Sequence, residues 1–184
     1  MSNNHSLKLG LASIIILSAS HAMAGQAMVI PEASISDSGF YAGINGGYAS
    51  GNRWGFQDGF AGGLDAGFQF NRYISLEAGW MRLPGTWYNN ADFTRGFSYV
   101  GPKFSIPLIE GTSLFGKAAV AFTYEKIHDY SDTYTSPLFA VGLEHNFTSH
   151  LSANVQVGYL TGPIIDRSLT RGQFISTVGL GFKF

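Results

Sequence analysis

The stretch Gln173–Phe184, QFISTVGLGFKF, alternates apolar residues with small or polar ones up to a final aromatic residue. Successive side chains of a strand point to opposite faces, so this pattern predicts one strand with one apolar face. That face carries the even-numbered residues Phe174, Ser176, Val178, Leu180, Phe182 and Phe184. Chain ends are usually exposed and disordered, so an apolar terminal strand must be held against other structure.

The first residues predict export. The apolar run Leu9–Ala19 follows a short polar start, and Ala22-Met23-Ala24 then supplies an A-x-A cleavage site. The run is too short to span a bilayer as a helix. We therefore predict a cleaved signal peptide over residues 1–24 and a flexible periplasmic leader over 25–38, which contains Pro31 and no sustained period.

Composition narrows the class of protein. Charged residues are 12% of the chain, against roughly 25% in an ordinary soluble domain. Glycine is abundant at 24 residues and aromatics reach 15%, while cysteine is absent, which argues against a lipoprotein anchor or a disulfide framework. No basic tract suggests nucleic acid, and no second long apolar run suggests a helical membrane protein.

Period-two segments recur at intervals of about twenty residues along the rest of the chain. They cover residues 40–49, 58–70, 73–83, 97–107, 113–124, 138–147, 151–159 and 173–184. Short connections near 71–72, 107–112 and 148–150 alternate with longer ones near 50–57, 84–95, 125–136 and 161–172. This arrangement predicts an all-β fold over residues 39–184: an eight-stranded antiparallel up-and-down transmembrane β-barrel.

The two faces of the strands indicate which side meets lipid. The non-apolar face is mostly Gly, Ala, Ser, Thr, Asn and Gln, too poor in charge for the coat of a soluble barrel. The apolar face carries aromatic residues near both ends, which is typical of a bilayer-facing surface with two girdles. An ordinary sandwich core is the alternative. Barrel closure would pair the last strand with the first and leave no edge exposed in lipid.

Five charged residues of the inward face lie at one predicted depth. They are Asp65, Glu77, Lys103, Lys117 and Glu144, each four to six residues from a short turn. At about 3.3 Å per residue and a tilt near 45°, five residues climb roughly 12 Å, close to mid-membrane. Unpaired charges are costly there, so we predict an internal salt-bridge plug, with a small gated conduit as the alternative. Three acids face two bases, so we expect the layer to hold a proton or to recruit a further cation such as Arg82.

No catalytic site, metal site or cofactor is predicted. Inward-facing His150, Ser152 and Glu144 have the residue types of a hydrolytic triad, but they lie at the short-turn end, away from the outer-leaflet lipid that such a triad would attack. A filled layer of paired carboxylates would also admit no substrate. We therefore expect that the protein is not an enzyme.

Several phrases resemble the OmpA-like outer-membrane β-barrel family, among them GFYAGINGGYA, DAGFQFNRYISLEAGW, SLFGKAAVAFTY, AVGLEHNFTSHLSANVQVGY and VGLGFKF. The resemblance implies a lumenal network in which Glu77, Lys117 and Glu144 occupy matching phrases, while Asp65 and Lys103 agree by position. The final Phe184 resembles the signal that the barrel assembly machinery reads. Full-length OmpA continues into a peptidoglycan-binding domain, whereas this sequence ends at the barrel, so a small, barrel-only member without cell-wall anchoring is expected.

The function expected from these features is structural or surface-interacting, in envelope integrity, adhesion or host contact. A narrow porin-like channel for small solutes or ions is the alternative. Four surface loops would carry any contact with a host or surface ligand, and the loop residues Trp87, Tyr88, Tyr130 and Tyr134 are the predicted contacts. The expected setting is a monomer in a Gram-negative outer membrane, surrounded by lipid and lipopolysaccharide.

Overall fold

The described part of the chain consists of β-strands joined by turns and loops. A computed structural model describes residues 38–50, 58–84, 87–88, 91–127, 130–162 and 172–184. Its strands are β1 (Gly39–Ala49), β2 (Gly59–Asn71), β3 (Ile74–Leu83), β4 (Trp87–Tyr88), β5 (Ala91–Ile109), β6 (Thr112–Ile127), β7 (Tyr130–Asn146), β8 (Leu151–Leu160) and β9 (Gln173–Lys183). In those ranges no helix is long and apolar enough to cross a membrane. The predicted signal peptide and nearly all of the predicted leader lie outside the described residues.

Eight of these strands form a closed antiparallel barrel. The hydrogen-bonded order is β3-β2-β1-β9-β8-β7-β6-β5, and β3 also pairs with β5, which closes the sheet. The short strand β4 pairs with the start of β5. The predicted eight-stranded barrel is thus confirmed, and β9 is held by β8 on one side and β1 on the other. The Phe184 amide continues that pairing by donating to the Phe40 carbonyl at 2.9 Å.

The outer face is apolar, as the alternation predicts. Phe60 and Phe184 are each 73% exposed, and the large outward residues of all eight barrel strands are likewise uncovered. Aromatic contacts mark both ends of this face. Near the short turns, the Phe40 and Phe68 rings lie 4.8 Å apart. Near the long loops, the Tyr159 and Phe174 rings also lie 4.8 Å apart.

Local hydrogen bonds and one glycine shape the three short turns. The Asn71 side chain accepts from the amides of Tyr73 and Ile74 at 2.8 and 3.0 Å, which reverses the chain between β2 and β3. Gly111 follows β5 with φ of 70°, a left-handed conformation that favours glycine. In the β7–β8 turn the Thr148 hydroxyl accepts from the Leu151 amide at 2.9 Å, as the Asn71 side chain accepts from backbone amides in the β2–β3 turn. These turns match the predicted short connections.

The long-loop end differs from the sequence prediction. Residues 84–95 and 125–136 were expected to be loops, but β5 begins at Ala91 and β6 and β7 pair as far as Ile127 opposite Tyr130. Only residues 128–129 separate the latter two strands. The Thr133-Tyr134-Thr135 run consists of residue types that favour strands, and backbone pairing with β6 extends the sheet through them.

Candidate functional site: the barrel lumen

Each of the eight barrel strands contributes one inward position to a single layer of the lumen, which we call the charge layer. Its members are Asn45, Asp65, Glu77, Lys103, Lys117, Glu144, Asn154 and Gly179. Glycine on β9 makes room for its neighbours, because a Cβ at Gly179 would overlap Asn45 Oδ1 and lie 2.8 Å from Asn154 Nδ2. The layer therefore brings together all five charges that the sequence placed at one depth.

Glu77 is the most heavily bonded carboxylate of the layer. It is 3% exposed and forms an ion pair with Lys117, which is 7% exposed. The Tyr99 hydroxyl donates to Glu77 Oε1 at 2.7 Å, and the Tyr41 hydroxyl donates to Oε2 at 3.0 Å. Both carboxylate oxygens are thus satisfied, as a buried charge requires.

The two lysines of the layer diverge. Lys103 and Lys117 are direct register partners on β5 and β6, where like charges repel. Lys117 reaches to Glu77 on β3, whereas Lys103 reaches to Glu144 on β7 at 2.5 Å. Lys103 Nζ also lies 4.5 Å from the Phe115 ring centroid, a favourable cation–π distance. The two pairs therefore link β3 to β6 and β5 to β7, which are not neighbours in the sheet.

Asp65 is the acid that neither lysine binds directly. Its carboxylate accepts from Asn45 Nδ2. The further cation considered for the layer, Arg82, lies on the other face of the sheet: it is exposed, while its neighbours Met81 and Leu83 point into the lumen and are buried. The expectation that Arg82 joins the layer is therefore wrong, because strand alternation sends it outward.

An apolar layer fills the lumen on the long-loop side of the charge layer. It consists of Ala49, Ala61, Met81, Leu83, Phe97, Ala119, Ala121, Leu138, Leu160 and Ile175. Phe97 and Leu160 are each only 1% exposed, so these side chains close over one another. Thr123 and Ser136, the register partners of Phe97 and Ala121, are also fully buried, so buried side chains close the described lumen at this level.

A second polar group, the mouth cluster, lies one inward step beyond the apolar layer and comprises Arg95, Glu125, Tyr134 and Gln173. Arg95 Nε lies 2.8 Å from Glu125 Oε1, and Arg95 Nη1 donates to Gln173 Oε1 at 3.0 Å. The Tyr134 hydroxyl accepts from Arg95 at 3.2 Å and donates to Glu125 at 2.8 Å. Tyr134, a predicted loop contact, is thus engaged by barrel residues in the structure.

The structure describes the side chains of some of the other predicted residues and not of others. The side chains of Trp87, Tyr88 and Tyr130 lie outside the described part of the structure, although their backbones belong to β4 and β7. His150 lies at the short-turn end, where Nδ1 is 2.8 Å from the Lys183 carbonyl oxygen and the ring stacks on Phe182. Within the described ranges no group of three or more His, Cys, Asp or Glu residues is arranged to hold a metal.

The sequence did not predict that Tyr41 and Tyr99 bind Glu77, nor the apolar layer, nor the mouth cluster. Tyr99 lies four residues before Lys103 on the same strand, so alternation alone places its side chain on the inward face near Glu77. The apolar layer has a weaker signal, a break in the alternation. Two large apolar residues stand side by side at Trp80-Met81, Leu138-Phe139 and Phe174-Ile175, so one of each pair must point inward.

Comparison with known proteins identifies the family. Residues 9–184 match the family described as outer membrane protein beta-barrel domain. This chain belongs to that family. No curated protein sequence matches it.

Solved structures of outer-membrane barrels share the fold at low sequence identity. Neisserial surface protein A has a TM-score of 0.68 and 14% identity, over 80% of this chain and 99% of that one. Ail of Yersinia pestis, in complex with the heparin analogue sucrose octasulfate, has a TM-score of 0.54 and 16% identity, over 80% and 98%. OprG of Pseudomonas aeruginosa has a TM-score of 0.55 and 13% identity, over 80% and 97%.

Membership in the family orients the outer-membrane barrel. Short turns of such barrels are periplasmic and long loops extracellular. The charge layer of this outer-membrane barrel therefore opens toward the periplasm, where a polar pocket lined by Gln69, Ser105 and Lys183 leads to it. The apolar layer and the mouth cluster lie on the extracellular side of the charge layer.

Proposed function

We propose that this outer-membrane barrel is a closed structural or surface-interaction protein, acting in envelope integrity, adhesion or host contact through its extracellular loops. The apolar layer is the observation that supports the proposal. A narrow constriction lined by apolar side chains excludes water, and ions cannot pass where water is absent. In this structure the layer contains side chains as large as Phe97 and Leu160 at 1% exposure.

The loops are the parts left to meet a partner. The segments 84–95 and 125–136, which include the extracellular ends of β5, β6 and β7, combine aromatic and polar residues, a composition suited to recognition. Ail, a barrel of similar fold, binds the heparin analogue sucrose octasulfate. We propose by analogy that a host or surface ligand contacts the loops here, with Trp87, Tyr88 and Tyr130 among the contacts. Tyr134 has less freedom for this role, because its hydroxyl is bound within the mouth cluster.

The lipid-facing surface of the barrel indicates its proposed surroundings and oligomeric state. Its apolar belt would contact outer-membrane lipid and lipopolysaccharide, and a single closed barrel needs no partner subunit to cover its edges. We propose that residues 1–24 direct export and are removed, and that the barrel assembly machinery inserts the protein through its C-terminal strand. We also propose that the protein acts without a cofactor and without catalysis.

A narrow channel is the alternative function. The charge layer and the polar pocket beneath it favour that alternative, because they line a polar route from the periplasm to mid-barrel. It requires the apolar layer to open. Single-channel recording on the refolded protein in planar bilayers separates the two candidates, since the closed barrel should give no stable current.

The loop role is tested by exchanging loops. Both extracellular tips, residues 85–90 and 127–130, are replaced by short Gly/Ser turns, and adhesion of whole cells to host-cell matrix and to immobilised heparin is measured. We expect normal insertion and heat-modifiability with adhesion lost. As a control, the periplasmic turn 147–150 receives the same replacement and should leave adhesion unchanged. Equal adhesion by parent and loop-exchanged barrels would contradict the loop role.

A further inference from the structure

Asp65 carries a lumenal carboxylate that forms no direct ion pair within the described part of the structure. The layer's two lysines form their ion pairs with Glu77 and Glu144. Among the residues that the structure describes, no lysine, arginine or histidine nitrogen lies within 4.0 Å of the Asp65 carboxylate. A carboxylate withdrawn from water needs a compensating charge, because leaving it alone costs several kcal/mol, on the order of the penalty for a broken buried pair.

The other lumenal cations among the described residues have partners elsewhere. Arg95 belongs to the mouth cluster, on the far side of the apolar layer. Lys183 lines the same pocket as Asp65, but its amine donates to Gln69 Oε1 at 3.1 Å. Gln69 is four residues along β2 from Asp65, a distance of roughly 13 Å along a strand. A cation from solution is therefore the most direct source of positive charge for the Asp65 carboxylate.

The space and the ligand atoms beside Asp65 suit a small cation. The pocket that Asp65 lines offers about 60 Å³ to the centres of water-sized molecules, and about 10–15 Å³ of such space holds one water. The amide oxygens of Asn45 and Asn154 are shielded from solvent and accept no hydrogen bond from described protein atoms. Carboxylate and amide oxygens are the ligands that hard cations take.

We propose that the lumen binds one monovalent cation, Na⁺ or K⁺, beside Asp65. The Asp65 carboxylate and the Asn45 amide oxygen are its protein ligands, and the periplasmic pocket is its entry path. A single carboxylate favours a monovalent ion, since divalent sites usually gather more anionic ligands or keep several waters. The ion neutralises the one acid that the lysines leave unpaired and joins β1 to β2 inside the barrel.

The test is urea unfolding of the refolded full chain in lipid vesicles at constant ionic strength. Sodium or potassium chloride is exchanged stepwise for N-methylglucamine chloride, whose cation is too large for the cavity. We expect the unfolding equilibrium constant to fall continuously as Na⁺ or K⁺ replaces the organic cation. Well above the dissociation constant, it should fall about tenfold for each tenfold rise in ion concentration.

Two variants locate the effect. Asp65→Asn should abolish the dependence on small cations, because the amide removes the charge and keeps the shape. Glu125→Gln removes an acid from the mouth cluster instead and should leave the dependence intact. If Asp65→Asn does not fold, ²³Na relaxation on the parent replaces it. Line broadening that K⁺ competes away supports the site, and an unbroadened line overturns it.

Three results overturn the proposal. Equal unfolding curves for the parent in sodium and N-methylglucamine chloride would mean that no ion binds. Unfolding curves that are equal in the two salts but shift with pH would mean that a proton neutralises Asp65. The charged and titratable groups around Asp65 are Glu77, Lys103, Lys117, Tyr41 and Tyr99. A cation dependence absent from the parent but created by Lys183→Gln would mean that Lys183 supplies the charge.

Discussion

At the scale of single residues, the lumen of this barrel is organised around one carboxylate. Glu77 forms an ion pair with Lys117 and accepts hydrogen bonds from two tyrosine hydroxyls, and each of these partners lies on a different strand. Charge-assisted hydrogen bonds of this kind are stronger than neutral ones. Buried pairs are nonetheless weak evidence for stability on their own, because desolvation offsets much of the attraction. Removing one partner alone is, however, strongly destabilising, because the other charge is then buried without compensation.

Lys117→Met should therefore destabilise the barrel strongly. The substitution leaves Glu77 buried without its counter-charge, which costs roughly 3–5 kcal/mol in comparable cases. A second change, Glu77→Gln, should recover part of the loss because no unpaired charge then remains at that position. A double-mutant cycle on urea unfolding in lipid vesicles measures the coupling between the two residues.

The matched control is Lys126→Met, which removes an exposed lysine from the same strand. Surface substitutions usually change the free energy of unfolding by no more than about 0.5 kcal/mol. Strict additivity of Lys117→Met and Glu77→Gln would show that the two residues do not share a network. Equal losses from Lys117→Met and Lys126→Met would contradict the importance of burial.

At the scale of strands, the sequence predicted most of the fold because one physical pattern repeats. A lipid-facing surface requires an apolar residue at every second position, and in Phe139, Val141 and Leu143 the structure exposes the residues that the pattern assigned outward. Strand ends were harder to predict. Beyond the bilayer the requirement for alternation ends, so residues 91–95 and 130–136 read as loops although backbone pairing continues through them.

The last strand carries a prediction of its own. β9 closes the barrel against β1, and Phe184 extends it with a hydrogen bond to Phe40 and a ring contact to Phe182 at 5.3 Å. Phe184→Ser should reduce the amount of heat-modifiable, membrane-embedded protein and leave precursor in the periplasm. Phe184→Trp keeps an aromatic ring at the membrane interface and should assemble normally. Equal assembly of the serine and tryptophan variants in fractionated cells would show that the ring is dispensable.

At the scale of the whole molecule, the lumen is a stack of layers with different chemistry. A periplasmic polar pocket leads to the charge layer, the apolar layer follows, and the mouth cluster lies toward the extracellular side. Arg95 and Glu125 of the mouth cluster were expected to lie in loops. The five charges of the charge layer were predictable, since a charged residue on an inward position is conspicuous in a chain with 12% charged residues. The apolar layer was not, because Leu138 or Ile175 differs from a lipid-facing residue only in the parity of its position.

Two layers could close the lumen, and conductance of variants can tell which one does. Phe97→Ala with Leu160→Ala truncates the apolar layer, at a cost of about 2–5 kcal/mol for each large-to-small change. Lys117→Met with Glu77→Gln instead discharges half of the paired charge layer. If the apolar layer is the barrier, the first variant should pass ions in planar bilayers while the second stays silent, as the parent does.

The control for the first variant is Phe104→Ala with Val178→Ala, which removes apolar bulk from the lipid face at 51% and 64% exposed positions. It should remain non-conducting, because its lumen is unchanged. Current through the charge-layer variant alone would place the barrier among the ion pairs instead. A steady current through the parent would mean that neither layer closes the lumen, and the function would move from a closed surface protein to a channel.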